Sequence, residues 1–409
     1  MTNKEYFAIH FCVNKSGLLF SAECNDETIM SCSFENGMAD FWIIYDFKKE
    51  VPLHLAGKAK INDECVINIR PYRIELYIDG ILADEEWPCG NNYLAECEIT
   101  SNDCNFCVCD IKEDNAYKPD VISSFENADG WRPEEKVFVG DCMPYVHDRK
   151  YHVLYLKDRH HHKSKWGLGA HQWEHISTSD FKEWDIHPTA VEISSPDEAS
   201  ICTGSWIIKD NVHYLYYTVR TCDKSPARIR RSVSTDGFHF EKDVDFSFEL
   251  SDKYTKETAR DPKIVVDELG VFHMFITTSI KESSTGCLAH LKSCDLDNWT
   301  EFDEPLYVAP PESGEPECCD YFYKDGFYYL IYSLKSKGYY KYSRKPFSDW
   351  CVPEKPVIPC KYVPKAAIFN DKIIFVGYEN CAEGGYAGNM TFLEAVVSEN
   401  GELTYKEFD

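Results

Sequence analysis

Short runs of aromatic and β-branched residues recur along the last two thirds of the chain, each set off by a polar turn. They are Tyr151-His-Val-Leu-Tyr155, His213-Tyr-Leu-Tyr-Tyr217, Phe272-His-Met-Phe275, Phe327-Tyr-Tyr-Leu-Ile-Tyr332 and Lys372-Ile-Ile-Phe-Val376. Each has the length and make-up of a buried strand. The preceding turns are alike: His147-Asp-Arg-Lys, Lys209-Asp-Asn, Asp267-Glu-Leu-Gly, Lys324-Asp-Gly and Asn370-Asp. The first four strands begin 55 to 62 residues apart. A second signature keeps the same phase, a Ser, an Asp and an aromatic closing most units: Ser177-Thr-Ser-Asp-Phe-Lys-Glu-Trp184, Ser232-Val-Ser-Thr-Asp-Gly-Phe-His-Phe240, Ser293-Cys-Asp-Leu-Asp-Asn-Trp299 and Ser343-Arg-Lys-Pro-Phe-Ser-Asp-Trp350. A five-fold repeat of this period belongs to radial arrays of antiparallel sheets, which protect most strand edges and leave a central depression. The pattern predicts an all-β chain with a five-bladed β-propeller over residues 132–409.

Residues 1–125 do not share the period. They alternate apolar and polar positions, as in Arg73-Ile-Glu-Leu-Tyr-Ile78, the Asp79-Gly80 turn and Ile81-Leu-Ala-Asp84, which is the mark of a half-buried hairpin. The expectation is an N-terminal β-sandwich of the lectin-like jelly-roll kind. The polar, proline-bounded stretch from Asn115 to Pro133 is the linker candidate.

Composition narrows the partners. The 409 residues suggest more than one domain. Against 43 Lys and Arg stand 69 Asp and Glu, a formal charge of −26, which repels phosphate backbones and anionic headgroups. Nucleic acid and membrane surfaces are excluded as partners on that ground. With 14% aromatic and 44% apolar residues the chain can build a core. The apolar stretch Tyr6 to Val13 is too short for a signal peptide, and no run approaches a membrane span. The expected location is therefore cytoplasmic, and the 19 cysteines are expected as buried thiols, not a disulfide framework. Cys104-Asn-Phe-Cys107-Val-Cys109 lacks a second paired set at zinc spacing.

Ten or eleven residues ahead of three repeated strands stands a carboxylate in an unusual setting: Gly140-Asp141-Cys-Met-Pro144, Ala259-Arg260-Asp261-Pro262 and Gly314-Glu-Pro-Glu317-Cys-Cys-Asp320. Equivalent offsets in a radial repeat place side chains at equivalent radii, so the acids should converge on a shared concave site. Crowded carboxylates are tolerated mainly where their chemistry is used. Glycoside cleavage is one such use, one acid protonating the leaving oxygen while a second carboxylate attacks the anomeric carbon or activates water. Each acid alone also reads as an ordinary turn residue.

These motifs resemble those of glycoside hydrolase family 32, the invertase, levanase and inulinase group. The resemblance includes Thr203-Gly204-Ser205, Trp166-Gly167, the stretch His171-Gln-Trp173 to Trp184, Gly377-Tyr, and Tyr386-Ala-Gly-Asn-Met-Thr-Phe392, and it covers residues 138–395. It implies a five-bladed propeller acting as a retaining β-fructofuranosidase on sucrose or short fructo-oligosaccharides, with no cofactor, and no metal is expected. Asp141 matches the nucleophile, Asp261 the acid that holds sugar hydroxyls near the transition state, and Glu317 the acid/base. Arg260, Trp166, Thr203 and Ser205 match positions that face the substrate, a small carbohydrate.

The chain also departs from the family pattern. Asn-Asp-Pro-Asn-Gly at the nucleophile is here Gly140-Asp141-Cys142-Met143-Pro144, Leu156 stands where a Gln is usual, and Glu-Cys-Pro is Glu317-Cys318-Cys319. The family's β-sandwich follows the propeller, whereas the extra domain here precedes it and either packs against the propeller or binds glycan. Two other functions stay open: an inverting arabinofuranosidase or xylosidase of the sister family 43, and a non-catalytic glycan-binding propeller. His160-His161-His162 reads as a solvated loop, Trp173 and Trp206 as core, and Arg228-Ile-Arg230-Arg231 as a solvated face.

Overall fold

The computed structural model describes residues 6–46, 52–70, 72–101, 103–111, 130–133, 137–159, 171–223, 225–380, 386–406 and 408. Most of the linker candidate lies outside them. No helix among the described residues is long and apolar enough to cross a membrane.

The N-terminal part is two five-stranded antiparallel sheets. One runs in the order Phe106–Cys109, Phe7–Cys12, Glu64–Ile69, Ile74–Ile78, Ile81–Glu86, and the other Leu53–Lys58, Met38–Ile43, Glu27–Glu35, Gly17–Cys24, Glu98–Thr100. Strict alternation of buried and partly exposed residues in Met38–Ile43 and Glu64–Ile69 gives each sheet one apolar face. Those faces meet in one core, Phe20, Phe41 and Leu55 from the second sheet against Ile67 and Leu76 from the first. The Asp79-Gly80 turn has φ of 48° and 77°, the left-handed pair that a two-residue hairpin loop needs.

From residue 137 the chain makes five successive antiparallel units. Their leading strands are Val137–His147, Glu198–Lys209, Arg260–Val266, Glu317–Lys324 and Tyr362–Phe369. Each is followed by its hairpin partner, Lys150–Arg159, Val212–Thr221, Phe272–Ile280, Phe327–Leu334 and Lys372–Asn380, so all five apolar runs of the sequence are second strands. The leading strands touch in cyclic order, first to second through to fifth, and the fifth touches the first. Backbone pairing of Val139 with Gly388 joins the first and last units into one sheet.

The Ser-Asp-aromatic signature has a local cause. Ser234 Oγ accepts the amides of Asp236 and Gly237, and the Asp236 carboxylate accepts those of Phe238 and His239. Ser293 and Asp295 repeat the arrangement, as do Thr178 and Asp180. Side-chain oxygens thereby satisfy a turn that the backbone alone would leave open. The aromatics that follow then fill seams, Phe181 meeting Phe392 of the last unit edge to face and Trp184 stacking on it.

Arg231 departs from its expected solvated setting. It is buried, bonding Asp243, Asp297 at 2.7 Å and the Leu296 carbonyl at 3.0 Å, and so ties the second unit to the third. Trp173 and Trp206 are core residues, and Cys32, Cys142, Cys287, Cys319 and Cys360 are buried thiols.

Candidate active site

All five leading strands lose register at one corresponding place, between Val139 and Cys142, Ile201 and Gly204, Arg260 and Lys263, Glu317 and Asp320, and Tyr362 and Lys365. Such a bulge frees side chains from strict alternation and re-aims them. Asp141, Thr203 and Asp261 fall inside the bulges, while Glu317 sits at the edge of one, opposite Ser333. The three acids are therefore not at one equivalent position, as equal offsets imply, but at neighbouring steps of the same irregularity. Asp261, Cys318 and Val363 have φ of 56°, 53° and 46°, strained for non-glycine residues and held by the surrounding bonds.

The bulged residues form one network. Cys318 joins two acids: its Sγ lies 3.3 Å from Oδ2 of Asp141 and 3.4 Å from Oδ2 of Asp261, and its amide donates to the latter at 3.0 Å. A single S–H serves only one carboxylate at a time. Thr203 Oγ1 donates to Oδ2 of Asp141, and the Tyr386 hydroxyl donates to Oδ1 at 2.9 Å while accepting the Asp141 amide at 3.1 Å. The amide of Asp261 is held by Thr218 Oγ1 at 2.9 Å. Arg260 spans the other side, with Nη2 donating to Oε1 of Glu317 at 3.0 Å, Nη1 to Oε2 of Glu315, and Nε 3.7 Å from Oδ2 of Asp261.

Depth separates the acids. Asp141 and Asp261 are buried, whereas the Glu317 side chain is 39% exposed, so the glutamate stands at the mouth and the aspartates at the floor. Burial raises the pKa of Asp261, Arg260 opposes that, and Glu317 and Asp141 add to it. Burial followed by Asp141, Asp261 and Glu317 drives the Cys318 thiol well up, so it stays protonated. Burial and Asp141 do the same to Tyr386. Arg260 is pushed further up despite its burial, since Asp261, Glu317 and Glu315 outweigh the loss of water.

Of the residues singled out in the sequence, Asp141, Asp261, Glu317, Arg260 and Thr203 come together here. Ser205 has another part: buried, its hydroxyl donates to the Pro262 carbonyl at 2.9 Å and accepts the Ile264 amide at 3.0 Å, strapping the second unit to the third. Trp166 and His160-His161-His162 lie outside the described residues. Tyr386, Cys318 and Glu315 carry bonds that sequence reasoning did not assign. The repeated acid of Gly314-Glu-Pro-Glu317 was a signal for Glu315, but nothing local in the sequence points Tyr386 at Asp141.

Acidic side chains gathered at a ring of bulged strands suit glycoside cleavage, which needs paired carboxyl groups, and the comparison with known families is specific. The model of the glycosyl hydrolases family 32 N-terminal domain matches residues 141–348, half of the chain, and spans Asp141, Asp261 and Glu317. The chain belongs to glycoside hydrolase family 32. It is 25% identical to the sucrose-6-phosphate hydrolase of Escherichia coli over 290 residues, 62% of this chain and 58% of that enzyme, so the match spans little more than half of the relative. Among solved structures, fructan 1-exohydrolase IIa of Cichorium intybus superposes with a TM-score of 0.56 at 16% identity, over 68% of this chain and 60% of that one. A family 43 β-xylosidase/α-arabinofuranosidase from a compost microbial metagenome gives 0.52 at 16% identity, over 70% and 98%. These likenesses are of fold and do not separate the two sister families.

Proposed function

We propose that the chain is a retaining β-fructofuranosidase acting on sucrose or short fructo-oligosaccharides, with residues 132–409 a five-bladed propeller and residues 1–125 a β-sandwich packed beside it. The observation that carries this reading is the single network in which Cys318 and Arg260 bind Asp141, Asp261 and Glu317 together. The closed cycle of leading strands and the shared core of the two N-terminal sheets support the architecture. Buried thiols such as Cys142 and Cys319 support a reducing, cytoplasmic setting.

In the first step Glu317, the accessible acid, gives its proton to the glycosidic oxygen as that bond breaks, and a carboxylate oxygen of Asp141 bonds the anomeric carbon. With the Cys318 S–H turned to Asp141, Oδ2 accepts from both Thr203 and Cys318, while among the described residues Oδ1 accepts from Tyr386 alone. Oδ1 is thus the oxygen with a lone pair left for attack. Asp261 holds sugar hydroxyls, and those bonds strengthen as positive charge builds on the ring. In the second step water passes a proton to Glu317 and attacks the same carbon, the ester bond breaks, and Asp141 is restored.

The test is sugar release from sucrose, sucrose-6-phosphate, kestose, inulin, levan and aryl arabinofuranosides, with Asp141→Ala and Glu317→Ala alongside. Fructose is expected, lost by roughly 10²–10⁴-fold or more in each variant. Arabinose release, or fructose release that survives both substitutions, overturns the proposal.

A further inference from the structure

Outside the acid cluster, the first unit carries a group of histidines that the hydrolytic reading does not use. His152 lies on Lys150–Arg159, His175 on Gln172–Thr178, and His187 directly after Asp185–Ile186. One ligand nitrogen from each falls within 4.8 Å of the other two. Nδ1 of His152 and Nε2 of His175 are 2.9 Å apart, the His175 and His187 rings are 4.3 Å apart, and Trp206 and Phe238 wall the group. His152 and His175 are buried, and His187 is half-buried on the open side.

The same molecule holds an internal control. In the third unit His273 and His290 make the same Nδ1 to Nε2 contact at 2.9 Å. There the pair is complete: Nε2 of His273 meets Asp267 at 3.2 Å, and Phe302 occupies the third place, its amide bonded to the His290 carbonyl at 2.9 Å. His187 bonds the His175 carbonyl in the same way at 2.9 Å, so it is the counterpart of Phe302. In the first unit, among the described residues, no carboxylate completes the pair, and Nε2 of His152 and Nδ1 of His175 are buried with no hydrogen-bond partner. Such orphaned nitrogens are expensive in a finished hydrogen-bonded core. One unit thus closes its histidine pair with an acid and a ring of carbon, and the other leaves the pair open and adds a third imidazole.

We propose that His152, His175 and His187 bind a divalent transition-metal ion of the zinc class, which pins the three outer strands of the first unit together. Three imidazoles suit such an ion, whose bonds to nitrogen run about 2.0–2.1 Å. His187 is half-buried, and its Nε2 lies 2.8 Å from the Ser177 hydroxyl, a bond that an ion taken at that nitrogen would replace. The rings are ready to coordinate: burial, with neighbouring histidines adding to it, holds His152 at about 4 and His175 well below its usual value, and burial holds His187 at about 4, so each is neutral near pH 7. This assignment does not depend on the hydrolytic activity.

The full chain, stripped with a chelator, is titrated with Co²⁺ and with Zn²⁺, reading the visible spectrum, the heat of binding and the thermal midpoint. The expected result is a single ion per chain, a cobalt spectrum of nitrogen ligation without thiolate charge-transfer bands, and a higher midpoint. His187→Phe, which copies the third unit, is expected to keep the fold by circular dichroism and to weaken binding by more than the roughly 10–100-fold that loss of a partner behind a ligand produces. His187→Gln is the second variant should the ring not fit. No binding, thiolate bands, or affinity unchanged in the folded variant overturns the proposal.

Discussion

Tyr386 holds Asp141 from two sides at once, donating to its carboxylate and accepting its amide. A Cβ at Gly140 would stand 2.6 Å from that hydroxyl, so the glycine is what lets the tyrosine approach. Removing one hydrogen bond to a charged group is worth about 1.5–3 kcal/mol, and Tyr386→Phe is expected to lower kcat roughly tenfold or more with the fold intact. Gly140→Ala should do the same by pushing the ring aside, and the double variant should fall well short of the product of the two. Full additivity in a kinetic double-mutant cycle would contradict this coupling. Asp261 makes a second prediction at this scale. Its folded pKa is raised above the ordinary 3.8, so the folded state holds its proton more tightly, and the stability it contributes is present at low pH and lost as pH rises through the raised value. Asp261→Asn should therefore raise the thermal midpoint at neutral pH, with the gain disappearing at about pH 4, while activity is lost. A lower midpoint at neutral pH would refute that sign.

At the scale of elements, the sequence already carried the strands and their phase, because each strand is a dense apolar run and each closing turn is capped by its own Ser or Thr and Asp. Those are local causes, visible locally. The candidate acids were visible too, but for an incomplete reason: equal spacing suggested equal positions, whereas register breaks set Asp141, Asp261 and Glu317 at different steps of the bulge. A bulge depends on cross-strand pairing and leaves little trace along the chain. Ser205 and Arg231 looked available for substrate or solvent because their partners, Pro262, Ile264 and Asp297, lie more than fifty residues away. Gly204 belongs to the same class of hidden constraint, since a Cβ there would lie 1.8 Å from the Tyr216 carbonyl oxygen of the neighbouring strand.

At the scale of the molecule, the N-terminal part is anchored through Trp87, with Tyr72 packed against the same cluster. Trp87 is wholly buried among Met143, Leu154, Leu156 and Trp173, so the residue that replaces the family's usual Gln, Leu156, is part of this junction. Around it Lys157 lies 5.5 Å over the indole and 2.5 Å from Glu85, and the Gly90 amide donates to the Pro196 carbonyl at 2.9 Å. Trp87→Ala is expected to destabilise the chain by about 3–5 kcal/mol, seen as a lower denaturation midpoint; a loss under about 1 kcal/mol would mean that the two parts are not energetically joined. The strand carrying Leu156 and Lys157 pairs with the strand carrying Asp141, so this junction abuts the proposed nucleophile's strand. In the proposed reaction Asp141 attacks the sugar and Glu317 serves both steps. Its most direct test is mass spectrometry of Glu317→Ala quenched during turnover of an activated β-fructofuranoside, whose leaving group needs no proton. A peptide heavier by one fructosyl residue is expected, with the ester on Asp141, and it is absent in Asp141→Ala. An unmodified Asp141 together with product of inverted configuration would contradict it.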